Sequence, residues 1–177
     1  MRKQVKRVIS EWMVSILVAA SIILIIKTFL FAPYEVHGSS MYPTFKGKEL
    51  LIVNRLIYDI SEPDYGDIIV FHTAENRDFI KRVIGKPGDR IALKEGKVFR
   101  NGKLLKESYT NKKSYQGTLT KKTMQEKVVP EGHLFVLGDN RGNSTDSREI
   151  GPIPISEVVG RADVNLLPLN EFKILFE

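Results

Sequence analysis

The feature that most constrains this chain is an apolar run near its start. Residues 12–32, WMVSILVAASIILIIKTFLFA, hold one charge, Lys27, and a few hydroxyls. Wound as a helix, a run of this length spans about 30 Å, the thickness of one hydrocarbon core. A helix that is apolar all round must be covered by lipid or by protein. Arg2, Lys3, Lys6 and Arg7 precede it with only Glu11 in opposition, which places the N-terminus in the cytoplasm and the rest of the chain outside. Trp12 stands where an interfacial aromatic anchors one end, and the Lys27 stem can reach the interface at the other. The expected division is a cytoplasmic basic segment at 1–11, a single-pass anchor in the cell membrane at 12–32 and an extracytoplasmic domain at 33–177. A basic start before an apolar run also describes a cleavable signal peptide. Pro33 follows Ala32, Leu30 is not small, and Val18-Ala19-Ala20 lies mid-run, so a retained anchor is the expectation.

The net charge of +6 is not spread over the surface. Apart from the N-terminal cluster and Lys27, the excess gathers in 107–127, where Lys112, Lys113, Lys121, Lys122 and Lys127 stand against Glu107 and Glu126. The remaining outer domain is near neutral, which argues against a nucleic-acid face. There is no cysteine, so neither a disulfide framework nor a cysteine-held zinc is possible.

From Pro33 onward the apolar residues come in short runs between turn signals, the signature of β structure. LLIVN (50–54), DIIVF (67–71), FIKRVI (79–84) and HLFVLG (133–138) read as strands. Glu95-Gly96 and Asn101-Gly102 flank KVFR (97–100). Asn-Gly is a strong two-residue hairpin signal, so two successive hairpins are predicted. Residues 107–127 are polar and weakly patterned, and read as an exposed excursion from the sheet. No long amphipathic helix stands out beyond the anchor.

Three segments carry chemistry. In HGSSMYPTF (37–45), Gly38 permits a tight turn and Pro43 stops a regular element. A serine there can present its hydroxyl outward with a backbone N–H free for an oxyanion, although most such stretches are plain loops. A serine nucleophile needs a base. His37, His72 and His133 sit in no triad motif, yet sequence order does not rule a triad out. The other base is a lysine kept neutral by burial. Period-two alternation in DFIKRVIG puts Phe79, Lys81 and Val83 on one face. Lys81 is thus the lysine best placed for an apolar setting; the ordinary fate of a strand lysine is to reach for solvent. The third segment, GDNRGNSTDSREIG (138–151), is either a loop tied by Asx and Ser turns or a scaffold of fixed ion pairs that orients the base.

Taken together and in this order, the basic start and anchor, SMYPT (40–44), GDIIVF (66–71), FIKRVIGKPGD (79–89) and GDNRGNSTDSR (138–148) resemble type I signal peptidases in their compact Gram-positive form, over nearly the whole chain. The resemblance implies a mostly β fold, one N-terminal transmembrane helix followed by a coiled, mainly antiparallel β-sheet catalytic domain. It implies Ser40 as nucleophile, Lys81 as general base and Ser144 as the hydroxyl that bonds the lysine. Asp139 with Arg82, and Asp146 with Arg148, would brace the site. Val36, Met41, Phe45, Phe79 and Ile80 would line shallow substrate pockets. The implied substrates are exported preproteins with Ala-x-Ala-like cleavage sites, met at a phospholipid membrane beside secretion machinery; neither metal nor cofactor is called for. Gly38 replaces a serine that helps bind the oxyanion in some members, which shifts that task to the Ser40 N–H. Gly142 stands where some members have aspartate. A specialised pilus or conjugation maturation peptidase, and an inactive membrane-tethered binding module, are the competing readings.

Overall fold

The structure, a computed structural model, describes residues 2–25, 30–75, 77–110 and 123–175. It opens with helix α1 (Arg2–Ile25). From Glu11 to Leu24 its side chains are exposed, Trp12, Leu17 and Leu24 by about two thirds. Among the described residues no helix is long and apolar enough to cross a membrane. The apolar run is not one helix to its end. Lys27 lies outside the described residues, and Phe31 and Ala32 open strand β1 (Phe31–Glu35), with Ala32 buried against the sheet. Pro33 can occupy β1 because an edge strand leaves its ladder position undemanding.

From β1 on, the described residues form antiparallel β structure. The large sheet has the order β1-β2-β11-β3-β4-β9-β10, with β12 added on β11. Its members are β2 (Leu50–Asn54), β3 (Ile68–His72), β4 (Asp78–Gly85), β9 (His133–Leu137), β10 (Ile153–Pro154), β11 (Val158–Leu167) and β12 (Lys173–Ile174). The small sheet, order β7-β6-β5-β8, is built from β5 (Arg90–Lys94), β6 (Lys97–Arg100), β7 (Lys103–Leu104) and β8 (Met124–Val128). Two helices of four residues, α2 (Ile57–Ile60) and α3 (Ser147–Ile150), interrupt the loops.

The strands expected at 50–54, 67–71, 79–84 and 133–138 fall on β2, β3, β4 and β9 within a residue. Both predicted hairpins form, with positive φ at Glu95, Gly96, Asn101 and Gly102. The excursion differs in part: Met124–Val128 is strand β8, paired with β5, while 111–122 lie outside the described residues. Three apolar clusters make the core. Ile84, Ile91, Leu93, Val98 and Phe135 join the two sheets. Val36, Met41, Phe45, Leu51 and Ile68 fill one face of the large sheet, and Ile69, Phe71, Val83, Val136 and Ile153 fill the other.

Two features of this topology matter for the site. Four successive antiparallel steps from β1 to β4 leave those two strands running in the same sense. In addition, β3 pairs with β4 over Asp78–Arg82, whereas β9 pairs with it only from Arg82 onward. Among the described residues, Asp78–Lys81 therefore present an open strand edge on the β9 side.

Candidate active site

Ser40 lies in the turn that follows β1. The turn is closed at its base by Val36 N–H to Glu49 O and Lys48 N–H to Val36 O, both 2.8 Å. Within it, Phe45 N–H bonds Met41 O at 3.0 Å, and Met41 and Phe45 are each 1 % exposed. These two side chains plug the cluster around Leu51, which fixes the turn and leaves Ser39 and Ser40 on its crest. The loop 138–148 ties the crest down from above. Asn140 donates from its backbone to Ser40 O and from Nδ2 to Ser39 O, both at 2.9 Å. Asn143 Nδ2 donates to Ser39 Oγ at 3.0 Å. The two adjacent serines are thus not equivalent: the Ser39 hydroxyl accepts from an amide, while the Ser40 hydroxyl accepts from Lys81.

Lys81 is in β4, on the face of Phe79 and Val83. Its register partner Ile69, and Phe71 opposite Phe79, belong to the same apolar cluster, so the ammonium stem is buried to 3 % exposure. Nζ donates to Ser40 Oγ at 2.9 Å and to Ile80 O at 2.8 Å, and lies 5.0 Å from the Phe79 ring centre. Burial pushes the Lys81 pKa down from 10.5 to about 8, against the opposing pull of the Asp146 and Asp139 charges. Desolvation wins because both carboxylates are already held by arginines.

Arg82 Nε and Nη2 bond Asp139 at 2.9 and 2.7 Å, and Arg148 Nε and Nη2 both bond Asp146 at 2.7 Å. These two-point pairs hold the loop on either side of Ser144 with the geometry guanidinium and carboxylate prefer. Asp139 also accepts from Thr44 Oγ1, on the Ser40 turn. Burial alone would raise the Asp146 carboxyl; its bonds to Arg148, the Gly138 N–H and the Ser144 hydroxyl hold it below the usual carboxylate range. Ser144 is 3 % exposed and lies on the cleft wall beside Lys81.

Several further residues shape the site. Arg141 is wholly buried; it bonds Gly138 O at 3.0 Å and makes a two-point pair with Glu107, which arrives from the connection after β7. Tyr109, next to that glutamate, stacks on Arg82, 4.1 Å from guanidinium carbon to ring centre. Within 138–148 only Asp146–Arg148 is a pair internal to the loop. A Cβ on Gly138 would lie 2.2 Å from Ser144 Oγ and 2.5 Å from Ser40 O, so glycine is what lets the two serines' segments close on each other. The arginine and the glycine are visible in GDNRG; nothing local marks Glu107 as their partner, 34 positions away from Arg141.

An open cleft of about 990 Å³ runs from Ser40 and Lys81 along 33–38 on one wall and 77–81 on the other. Val36, Phe79 and Ile80 line it. Met41 and Phe45 are not on its walls: their turn directs them into the core beneath.

Residues 9–167 match the family model described as signal peptidase, peptidase S26. The chain is 43% identical over 173 residues to a signal peptidase I of Bacillus caldolyticus, covering 93% of each. It is 39% identical over 183 residues to a signal peptidase IB of Staphylococcus aureus, covering 97% of this chain and 96% of that one. A crystal structure of a signal peptidase I from Enterococcus faecalis V583 is 32% identical, covers 58% of this chain and 97% of its own, and gives a TM-score of 0.49. With a family model that matches residues 9–167 and relatives matched nearly end to end, the chain belongs to the signal peptidase family, peptidase S26, and is a serine peptidase of the signal peptidase I kind.

Proposed function

We propose that this chain cuts signal peptides from exported precursor proteins at the outer membrane face, through an acyl-enzyme formed on Ser40 with Lys81 as general base. One observation carries the assignment: the buried Lys81 Nζ stands 2.9 Å from Ser40 Oγ at the end of an open cleft. As the neutral amine, Lys81 takes the Ser40 proton while Oγ bonds the scissile carbonyl carbon. The oxyanion is met by the Ser40 N–H, which has no acceptor among the described residues. When the C–N bond breaks, Lys81 returns the proton to the leaving amine. A water molecule, deprotonated by the same amine, then releases the acyl group. Ser144 and the two arginine–carboxylate pairs hold the lysine and the loop above it in place.

The substrate enters as a single extended strand between β1 and the open edge of β4, where backbone bonds supply affinity and alternate side chains meet the walls. Val36, Phe79 and Ile80 leave shallow apolar recesses suited to small residues before the bond. The N-terminal helix holds the enzyme in the membrane with its start in the cytoplasm. In support stand the basic residues Arg2, Lys3, Lys6 and Arg7 at its start and its exposed apolar surface, with Trp12, Ile16 and Leu24 each more than 60 % accessible.

The test is cleavage of a precursor by the full chain in proteoliposomes. Ser40→Ala and Lys81→Ala each abolish turnover with the fold intact, because nucleophile and base act as a unit. Ser39→Ala retains activity within a few-fold. An active Ser40→Ala protein, or an inactive Ser39→Ala one, refutes the assignment.

A further inference from the structure

The cleft does not end where β4 ends. Beyond Asp78, a second cavity of about 460 Å³ opens behind the β3–β4 turn. It shares His72, Arg77, Phe79 and Thr145 with the first, so the two spaces are continuous around the Phe79 ring. Its floor is apolar. Phe71 packs edge-on against Phe79, with centroids 6.2 Å apart at 74°, and both border the cluster that contains Ile153. Ile150, 44 % exposed, stands on the rim. A side chain placed there would extend the core of this face, while the charged rim of Glu75, Arg77 and Glu157 keeps the mouth wet.

Its position fixes what can reach it. β1 and β4 run in the same sense and both arrive at the dyad, β1 through 36–40 and β4 at Lys81. β1 is also the first strand after the N-terminal helix in chain order. A precursor whose own apolar segment lies in the membrane, N-terminal to its scissile bond, enters in that same sense, with its N-terminal side toward the start of β4. An extended chain advances about 3.3 Å per residue. With the scissile residue beside Lys81, residues three earlier lie beside Asp78, and the next one or two reach the cavity.

We propose that this cavity is a further substrate subsite, which takes a bulky apolar side chain of the precursor four or five residues before the scissile bond. The inference rests on the reading of Ser40 and Lys81 given above. A pocket that buries one such side chain discriminates by roughly tenfold or more.

The test uses the full-length protein in detergent micelles and a set of precursor peptides that differ only at the fourth and fifth positions before the bond, with leucine or serine. The leucine peptides show about tenfold higher kcat/KM. Ala74→Trp, on the exposed turn that borders the cavity, removes that advantage and leaves turnover of the serine peptide within twofold, which also shows the variant folded. Equal kcat/KM for leucine and serine peptides in the unmodified enzyme overturns the subsite alone. So does an equal loss on both peptides in the Trp variant. Cleavage of every peptide that persists in Ser40→Ala overturns the dyad and the subsite together.

Discussion

The β5–β6–β7 hairpins of the small sheet and the loop at 138–148 are held by opposite means. In the small sheet each turn is dictated by the residues inside it: Glu95-Gly96 and Asn101-Gly102 take the positive φ values that a tight hairpin requires. In the loop, little is local. Arg82 reaches Asp139 across 57 positions, Glu107 reaches Arg141 across 34, and Asn140 reaches Ser39 across 101. A region built from neighbours can be altered piecemeal, at about 1 kcal/mol a piece. The loop has three arginine–carboxylate pairs, two of them to distant partners, around a lysine that has none, and a change there alters chemistry before it alters the fold.

Two glycines test the contrast most sharply. Gly138→Ala pushes a methyl group into Ser144 Oγ and Ser40 O, so the dyad is displaced by a large fraction of an ångström. The expected loss of precursor cleavage is about 100-fold or more, the scale of such misplacements, while circular dichroism of the full chain in detergent is unchanged. Wild-type turnover in this variant would mean that the two serine segments have slack, and the contrast would fail.

Lys81→Met separates chemistry from stability. The folded-state pKa is about 8 against an ordinary 10.5. Below pH 8 the lysine is protonated in both states, and burying its ammonium costs the fold about 3 kcal/mol. Between 8 and 10.5 the unfolded chain binds the proton and the folded chain does not, so stability rises with pH; above 10.5 the penalty is gone. The methionine variant lacks this rise. Denaturant titrations should place it about 3 kcal/mol above the parent at pH 7, with the gap closing toward pH 10.5. The parent's activity should fall on the acid side with the same pKa of about 8. Parallel stability curves would remove the buried ammonium from the account.

The smallest effect belongs to the small sheet. At Gly102, φ is 75° with open space around it. Gly102→Ala meets only backbone strain, about 1 kcal/mol in a denaturant melt, and leaves cleavage untouched. A loss of activity there would show that the small sheet is coupled to the dyad.

The same contrast sets what could be read from sequence. The strands β2, β3 and β9 announce themselves because their apolar runs are uninterrupted, and β4 because Phe79-Ile80 and Val83-Ile84 flank its two charges. The ten-residue β11 does not: Gly160, Arg161, Asp163 and Asn165 break its pattern. Asp163 and Asn165 are nonetheless buried, the first paired with Arg161 and Asn54, the second donating to Glu171 O. β1 was hidden inside the apolar run before it. At the site, alternation alone placed Lys81 on the right face, and family resemblance put Ser40, Ser144 and the arginines on the page. Resemblance also named Met41 and Phe45, which the turn packs into the core beneath the cleft. The Glu107–Arg141 pair had no signal, since a contact across 34 residues leaves no period to detect.

The open edge at Asp78–Lys81 has one more consequence. An unpaired strand edge is a template for aggregation, open to any exposed β-sheet. This one is four residues long and recessed between β1 and the wall at 143–145. Short and flanked by walls, it offers another sheet few ladder positions to pair with. On the proposed reading, the walls that frame a single extended segment of a precursor are the same ones that guard the sheet against association with another.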